Sequence, residues 1–415
     1  MYQFSGKLKT FSIVLLVIGL LGSGWSLYKG STTTLEDAKA AIAAKHDDGH
    51  GADHGESHDK KMSAANDHSN NEKVHESNEH KDDHANPDEH AEHLLHQMQN
   101  RPWAALWVSL LFFLGVTLLV LAFYAAQRVA QAGWSIVLFR VMEAITANLL
   151  PVSIIMAVVI ILTGMHFNHL FVWMGEGVFD KTSENYDAVV AGKAWWLNLP
   201  GWMIRGFVYL IGWNLYRWFI RKNSIAEDTA TTLKVFKKSY NVSVIFLVFF
   251  MLTESMAVWD WIMGLDPHWF STLFGWYVLA TFLVSALTVI AFVTIYLRSK
   301  GYLPSVNDSH IHDLAKFMFG FSVFWTYLWF AQFMLIWYAD IAEETTYFVM
   351  RFNEYKTLFI SMVAMNFAFP VLLLLNSDFK SRPWFVIIGG IVILAGHYID
   401  LFVMVMPGTV GESWG

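Results

Sequence analysis

The chain of 415 residues contains no cysteine. That absence excludes disulfides, thiolate-ligated iron–sulfur clusters and a C-x-x-C-H haem attachment. Charge is scarce as well, at 15% of residues. Histidine is scarce where a haem would need it. A haem b held inside a helical bundle ordinarily takes two histidines within the membrane, and only His397 lies deep in an apolar segment. His166, His169, His268, His310 and His312 fall at segment ends or in loops. No metal redox centre is therefore expected in this chain, and no nucleic-acid partner.

What the sequence has instead is apolar surface, 55% of residues in long recurring runs. That places it among all-α polytopic membrane proteins. A hydrocarbon layer of about 30 Å takes about 20 apolar residues per crossing. Nine segments qualify: 9–28, 103–126, 144–164, 196–216, 241–263, 272–297, 313–339, 355–376 and 384–406. Charge supports the count. If the end bearing Lys7 and Lys9 is cytoplasmic, fifteen basic residues fall on that side, among them Arg128, Arg140, Arg217, Arg221, Arg298 and Arg382. Only Lys181, Lys193 and Arg351 occupy the opposite short loops. This is the positive-inside pattern. It implies a multi-pass membrane protein with its N-terminus in the cytoplasm. The first segment, residues 1–30, reads as an uncleaved anchor rather than a signal peptide, because no small-x-small cleavage site stands out before Gly30.

Residues 31–96 form a polar segment, expected on the periplasmic side, that carries eleven of the seventeen histidines. With few apolar residues it is expected to be largely disordered. It is either a solvated tether or a metal-gathering tract, since neutral imidazole binds zinc, copper and nickel. Its end, EHAEHLLHQMQNRPW, has helical spacing and leads into the second crossing. The loop 171–195, with Glu176, Asp180, Glu184 and Asp187, is a cap over the helices, a partner contact or an ordinary surface loop.

Ionisable groups at membrane depth are functional candidates by default, because an unpaired charge in hydrocarbon costs several kcal/mol. The stretch ESMAVWDWIMGLDPHWFST, residues 254–272, carries four: Glu254, Asp260, Asp266 and His268. Glu254 lies about midway through the expected crossing. Six residues separate it from Asp260, so the two stand ~9 Å apart along a helix and ~120° apart around it. Water or a neighbouring helix must bridge them for a proton to pass, and a static hydrogen bond is the competing role. Asp266 in the Asp-Pro-His turn suits a cap for the next helix, with Pro267 at its first position. Asp340, Glu343 and Glu344 share one face if their helix continues, as a proton-collecting antenna or a solvated helix end. His397 and Asp400, three apart in the last crossing, extend a proton path or bond each other. Arg140 and Glu143 are expected to pair. Pro370 frees the carbonyl of Asn366 within its crossing. Aromatic residues make up 16% of the chain, with Trp103, Trp195, Trp196, Trp218 and Trp269 at expected interfaces. Interfacial belts account for most of them, though a quinone ring would also stack there. A faint echo between VWDWIMGLDPHWFSTLF and IWYADIAEETTYFVMRF hints at an internal repeat.

The strings FRVMEAITANLLP, RGFVYLIGWNLYRWFIRKNS, WDWIMGLDPHWFST, FMLIWYADIAEET and LFVMVMPGTVG resemble the ActF subunits of bacterial alternative complex III. These are the second NrfD/PsrC-like membrane subunit of that quinol:electron-acceptor oxidoreductase. The resemblance runs from about residue 92 onward and includes the first anchor. It implies two antiparallel four-helix bundles, with residues 97–415 as the NrfD-like domain, and a tenth crossing beyond the GTVGESWG region, where this chain stops at Gly415. It further implies a sister NrfD-like subunit, a multihaem cytochrome c, an iron–sulfur subunit and the lipid bilayer as partners. Quinol would be hosted by the sister subunit, with a quinone site at a subunit interface of this chain left open. The subunit's part would be proton transfer or coupling, with Glu254 and Asp260 the matching acids here. The competing expectation is a stand-alone secondary transporter, proton-coupled or for a divalent metal gathered by the histidine tract.

Overall fold

A computed structural model describes residues 6–49 and 87–414, and every regular element in them is helical. The α-helices are α1 (Gly6–Ser31), α2 (Leu35–Gly49), α3 (Pro87–Val129), α4 (Phe139–Ile145), α5 (Leu149–Gly164), α6 (Ala188–Gly192), α7 (Leu199–Glu227) and α8 (Lys234–Trp261). They continue with α9 (Phe274–Ser299), α10 (Asp308–Ala339), α11 (Ala342–Asn353), α12 (Lys356–Val363), α13 (Phe369–Leu374), α14 (Ser377–Lys380) and α15 (Pro383–Val410).

Among the described residues eight stretches are long and apolar enough to cross a membrane, making this a polytopic all-α membrane protein. The expected crossing at 196–216 corresponds to α7, which is not among the eight. At 29 residues it is long enough, but Arg205, Asn214, Arg217 and Arg221 dilute its apolar character. It nevertheless lies along α8, and Arg205 finds its partner inside the protein. Helices α3, α5, α7 and α8 pack as one group, and α9, α10, α12–α13 and α15 as a second. Helices α3 and α9 join the two groups and are the most enclosed of the spans. Small residues let them approach: a Cβ on Gly115 of α3 would stand 2.4 Å from the Phe282 ring on α9.

Several local expectations change. Residues 35–49, expected to be disordered, form α2, whose AKAAIAAK run has the highest helix propensity in that segment. It packs on α3 with Ala38 buried. The rest of the histidine tract, residues 50–86, lies outside the described residues. The helical spacing before the second crossing is realised, because α3 runs unbroken from Pro87. At Pro370 the missing N–H widens the preceding turn into a π-helical stretch, Ala364–Ala368. Where arginine and lysine concentrate, here called the basic end, the expected Arg140–Glu143 pair forms at 2.8 Å within a larger clamp. Arg221, Ser224 and Tyr124 also bond Glu143, and Arg128 takes Glu227 with two bonds of 2.9 Å. The clamp ties α3 and α4 to α7.

Gly115→Val is expected to destabilise the junction of the two helix groups by about 1–3 kcal/mol through overpacking. Gly133→Ala, which meets open space, should leave stability unchanged. Thermal unfolding of both variants in detergent micelles measures the difference.

Candidate functional site

Asp260 is fully buried in the last turn of α8. From α7, Arg205 and Tyr209 stand one helical turn apart and converge on it. Arg205 donates from Nη2 to Oδ1 at 2.7 Å and from Nε to Oδ2 at 2.9 Å, and the Tyr209 hydroxyl donates to Oδ2 at 2.9 Å. The guanidinium lies 4.2 Å over the Trp196 ring and also donates to the Trp196 carbonyl. Trp202 Nε1 holds the Asp260 carbonyl at 3.0 Å. A two-pronged, charge-assisted pair of this kind is strong and fixed in geometry. It makes Asp260 a paired anion that locks α7 to α8. An arginine inside an apolar segment was the available signal for this partner.

Glu254 has no such partner. It is 4% exposed, and its Oε1 has no hydrogen-bond partner among the described residues. Its Oε2 reaches only Ser255 Oγ, at a long 3.4 Å. Within α8, which begins at Lys234, Glu254 stands about two turns before the end at Trp261. It faces a cavity of about 30 Å³, room for one water molecule, where α3, α8 and α9 meet. Leu111, Leu118, Trp213 and Phe282 make the remaining wall apolar.

The second helix group has its own buried polar cluster. Asp400 on α15 accepts from Tyr277, from Thr281 Oγ1 at 2.9 Å and from Trp325 Nε1 at 3.0 Å. His397 Nδ1 is 3.7 Å from Asp400, too far for a hydrogen bond. Neither ring nitrogen of His397 is bonded among the described residues. The Asn366 amide is unpartnered too, in the π-helical stretch against Gly396, where a Cβ would meet Asn366 Oδ1 at 2.2 Å. Arg351 of α11 is 4% exposed and donates to the carbonyls of Tyr347, Val403 and Met404 at 2.6, 3.1 and 3.3 Å. With Gln332 it lines a cavity of about 10 Å³ that Asp400 shares. Sequence inspection counted Arg351 as a loop charge and gave Tyr277 and Gln332 no role, since all three are unremarkable until the helices are placed.

The remaining candidates are scattered over the end opposite the basic one. Asp340 closes α10 in a left-handed conformation, φ 48°, so the helix does not continue. Glu343 and Glu344 open a new helix, α11, where the helix dipole favours acids. The expected shared face of the three acids is not formed. Asp266 caps nothing: α9 begins at Phe274, after Leu273. His268 instead meets Asp187 at 2.5 Å. Asp187 caps α6, and its carboxyl lies below the usual range: the cost of partial burial is outweighed by bonds from Val190, His268 and Val189. Its loop does cap the first helix group, with Phe171 and Trp173 buried against Trp202.

A cavity of about 280 Å³ at this end is walled by Trp195, Trp196, Trp259, Trp269 and Phe270. Its one cation, Lys193, already donates to the Pro267 carbonyl at 2.6 Å, and burial lowers its pKa. The walls would stack on a quinone ring. Their lining includes no carboxylate or imidazole to accept a quinol's protons, so this cavity suits holding such a ring better than oxidising it. Compared with known proteins, the chain matches no family model and no curated protein.

Arg205→Leu should destabilise the protein by about 3–5 kcal/mol, because it leaves the Asp260 charge buried and unpaired. The double variant Arg205→Leu/Asp260→Leu should recover most of that loss. Denaturant unfolding in micelles, read as a double-mutant cycle, measures both.

Proposed function

We propose that this chain is a proton-conducting membrane subunit of a quinol:electron-acceptor oxidoreductase complex of the ActF type, and that it carries no redox centre of its own. The motif strings within residues 139–411 support the type of complex. A single observation carries the proton role: Glu254 is a buried carboxyl without a counter-charge, next to a water-sized cavity at the junction of both helix groups. Buried carboxylates with a structural purpose are paired, as Asp260 is. One without a partner is tolerated only with its proton or with water.

In this proposal Glu254 takes up and releases a proton through the water its cavity admits. A rearrangement between the two helix groups changes the access of Glu254, since α3, α8 and α9 all wall its cavity. Asp260 is the fixed anion that keeps α7 and α8 in register. His397, Asn366 and Asp400 form a second polar station in the other group, with unsatisfied nitrogens able to carry a proton or a water. The basic end faces the cytoplasm of a bacterial cell. The opposite end meets the sister membrane subunit, the multihaem cytochrome c and the iron–sulfur subunit. Quinone, if it contacts this chain, is held by the tryptophan-walled cavity.

The tests are purification and one substitution. A tagged chain taken from its native membrane should bring haem c and iron–sulfur proteins with it; a lone homo-oligomer that moves zinc in liposomes would support a transporter instead. Glu254→Gln keeps the shape of the side chain and removes its titration. It should leave assembly intact and slow proton translocation through this chain by on the order of a hundredfold. An unchanged rate in reconstituted liposomes would reduce Glu254 to a packing role.

A further inference from the structure

A second cavity at the end opposite the basic one plays no part in the proton path. It measures about 430 Å³ and opens between the start of α3, the turn after α5 and the end of α15. His96, His166, His169 and Glu176 stand on its walls. The rings of His96 and His169 meet edge to face with centroids 4.6 Å apart. Two imidazoles from separate elements thus touch, and a third, His166, stands on the same cavity wall.

The backbone around these histidines is held with care. Asn100, one turn after His96 on α3, is 4% exposed. Its amide donates to the His169 carbonyl at 2.8 Å and accepts from the His169 N–H at 3.0 Å. The same amide nitrogen reaches the Thr409 carbonyl of α15 at 3.4 Å. His169 is thus fixed one helical turn from His96. Asn168 is anchored by donating to Thr163 Oγ1 at 3.0 Å. The turn itself closes α5 with paired bonds, His166 N–H to the Thr163 carbonyl at 3.0 Å and Phe167 N–H to the Leu162 carbonyl at 3.1 Å. This closure puts a left-handed residue after the helix, a position that favours glycine. Here it is His166, at φ 60°. Histidine is one of the side chains that tolerate this conformation, so the turn seats an imidazole where glycine is commoner.

We propose that this cavity is a binding site for a borderline divalent transition-metal ion, of the Zn²⁺ or Cu²⁺ class. Imidazole nitrogen with carboxylate oxygen is the donor set such ions prefer. His96 and His169 are the primary ligands because Asn100 fixes their spacing. His166 and Glu176 complete the shell. Among the described residues no three such groups already converge on one point, and binding draws in the exposed side chain of His166. Asn100 acts as a positioning residue, holding a ligand in place from outside the first shell. Ten further histidines, from His46 to His93, precede His96 in the sequence.

The test uses the full chain in detergent micelles, with the ten histidines from His46 to His93 replaced by asparagine to remove their background. Titration calorimetry with ZnCl₂ should find one equivalent bound. His96→Ala and His169→Ala should each weaken it by more than about tenfold, and Asn100→Ala by about 10- to 100-fold. His268→Ala, outside the cavity, should leave it unchanged. Cu²⁺ bound in place of zinc should show nitrogen hyperfine splitting that loses one imidazole in each of the two ligand variants. The gentler His96→Gln and His169→Gln, whose thermal unfolding should match the parent, repeat both readouts. Absence of one-equivalent binding in the ten-histidine variant overturns the proposal. Affinity and splitting that survive both ligand substitutions overturn it equally.

Discussion

A charge placed where water cannot follow must bring its own partner, and the Arg205–Asp260 pair shows what that demand does to this molecule. The two-pronged contact needs α7 and α8 at one rotation and one register, since a shift by a single residue would turn Tyr209 or Arg205 away. Once set, it carries Trp196 over the guanidinium and Trp202 onto the Asp260 carbonyl, so the loop between α5 and α7 inherits its position from the same pair. Removing either charge alone strands the other, which is why such pairs resist drift more than they add stability.

Against that background the uncompensated polar groups stand out. Glu254, His397 and Asn366 are buried as deeply as Asp260, yet each has atoms without partners among the described residues. Native interiors satisfy nearly all buried polar atoms, so the exceptions concentrate where water, protons or motion are needed. Glu254 lies on the first helix group facing the second, and His397 with Asn366 lies within the second. The π-helical stretch at Asn366 loosens α12–α13 at that depth, a local backbone fault of the kind that recurs at functional sites.

The two ends of the molecule differ in kind. At the basic end, arginines and glutamates from α3, α4 and α7 interlock, which fixes the helix ends. The opposite end, where the loops around α6 and α11 lie, holds one aromatic cavity and one lined with histidine.

Hydropathy and charge along the chain determined the helical class, most of the spans and the Arg140–Glu143 pair, because these depend on residues close in sequence. The same local signals marked Glu254, Asp260, His397 and Asp400 as acids and a base out of place in hydrocarbon. They did not separate Asp260 the locked anion from Glu254 the free carboxyl. That difference lies in which side chain α7 turns toward α8, and helix rotation is set by packing across the bundle. The same limit hid the turn that ends α10 at Asp340, which split three acids that spacing alone had put on one face. It also hid the meeting of His96 with His169, which are distant in sequence and joined only when α3 docks against the end of α5. Residue type is written locally, whereas a partner across the bundle exists only after the helices have found their register.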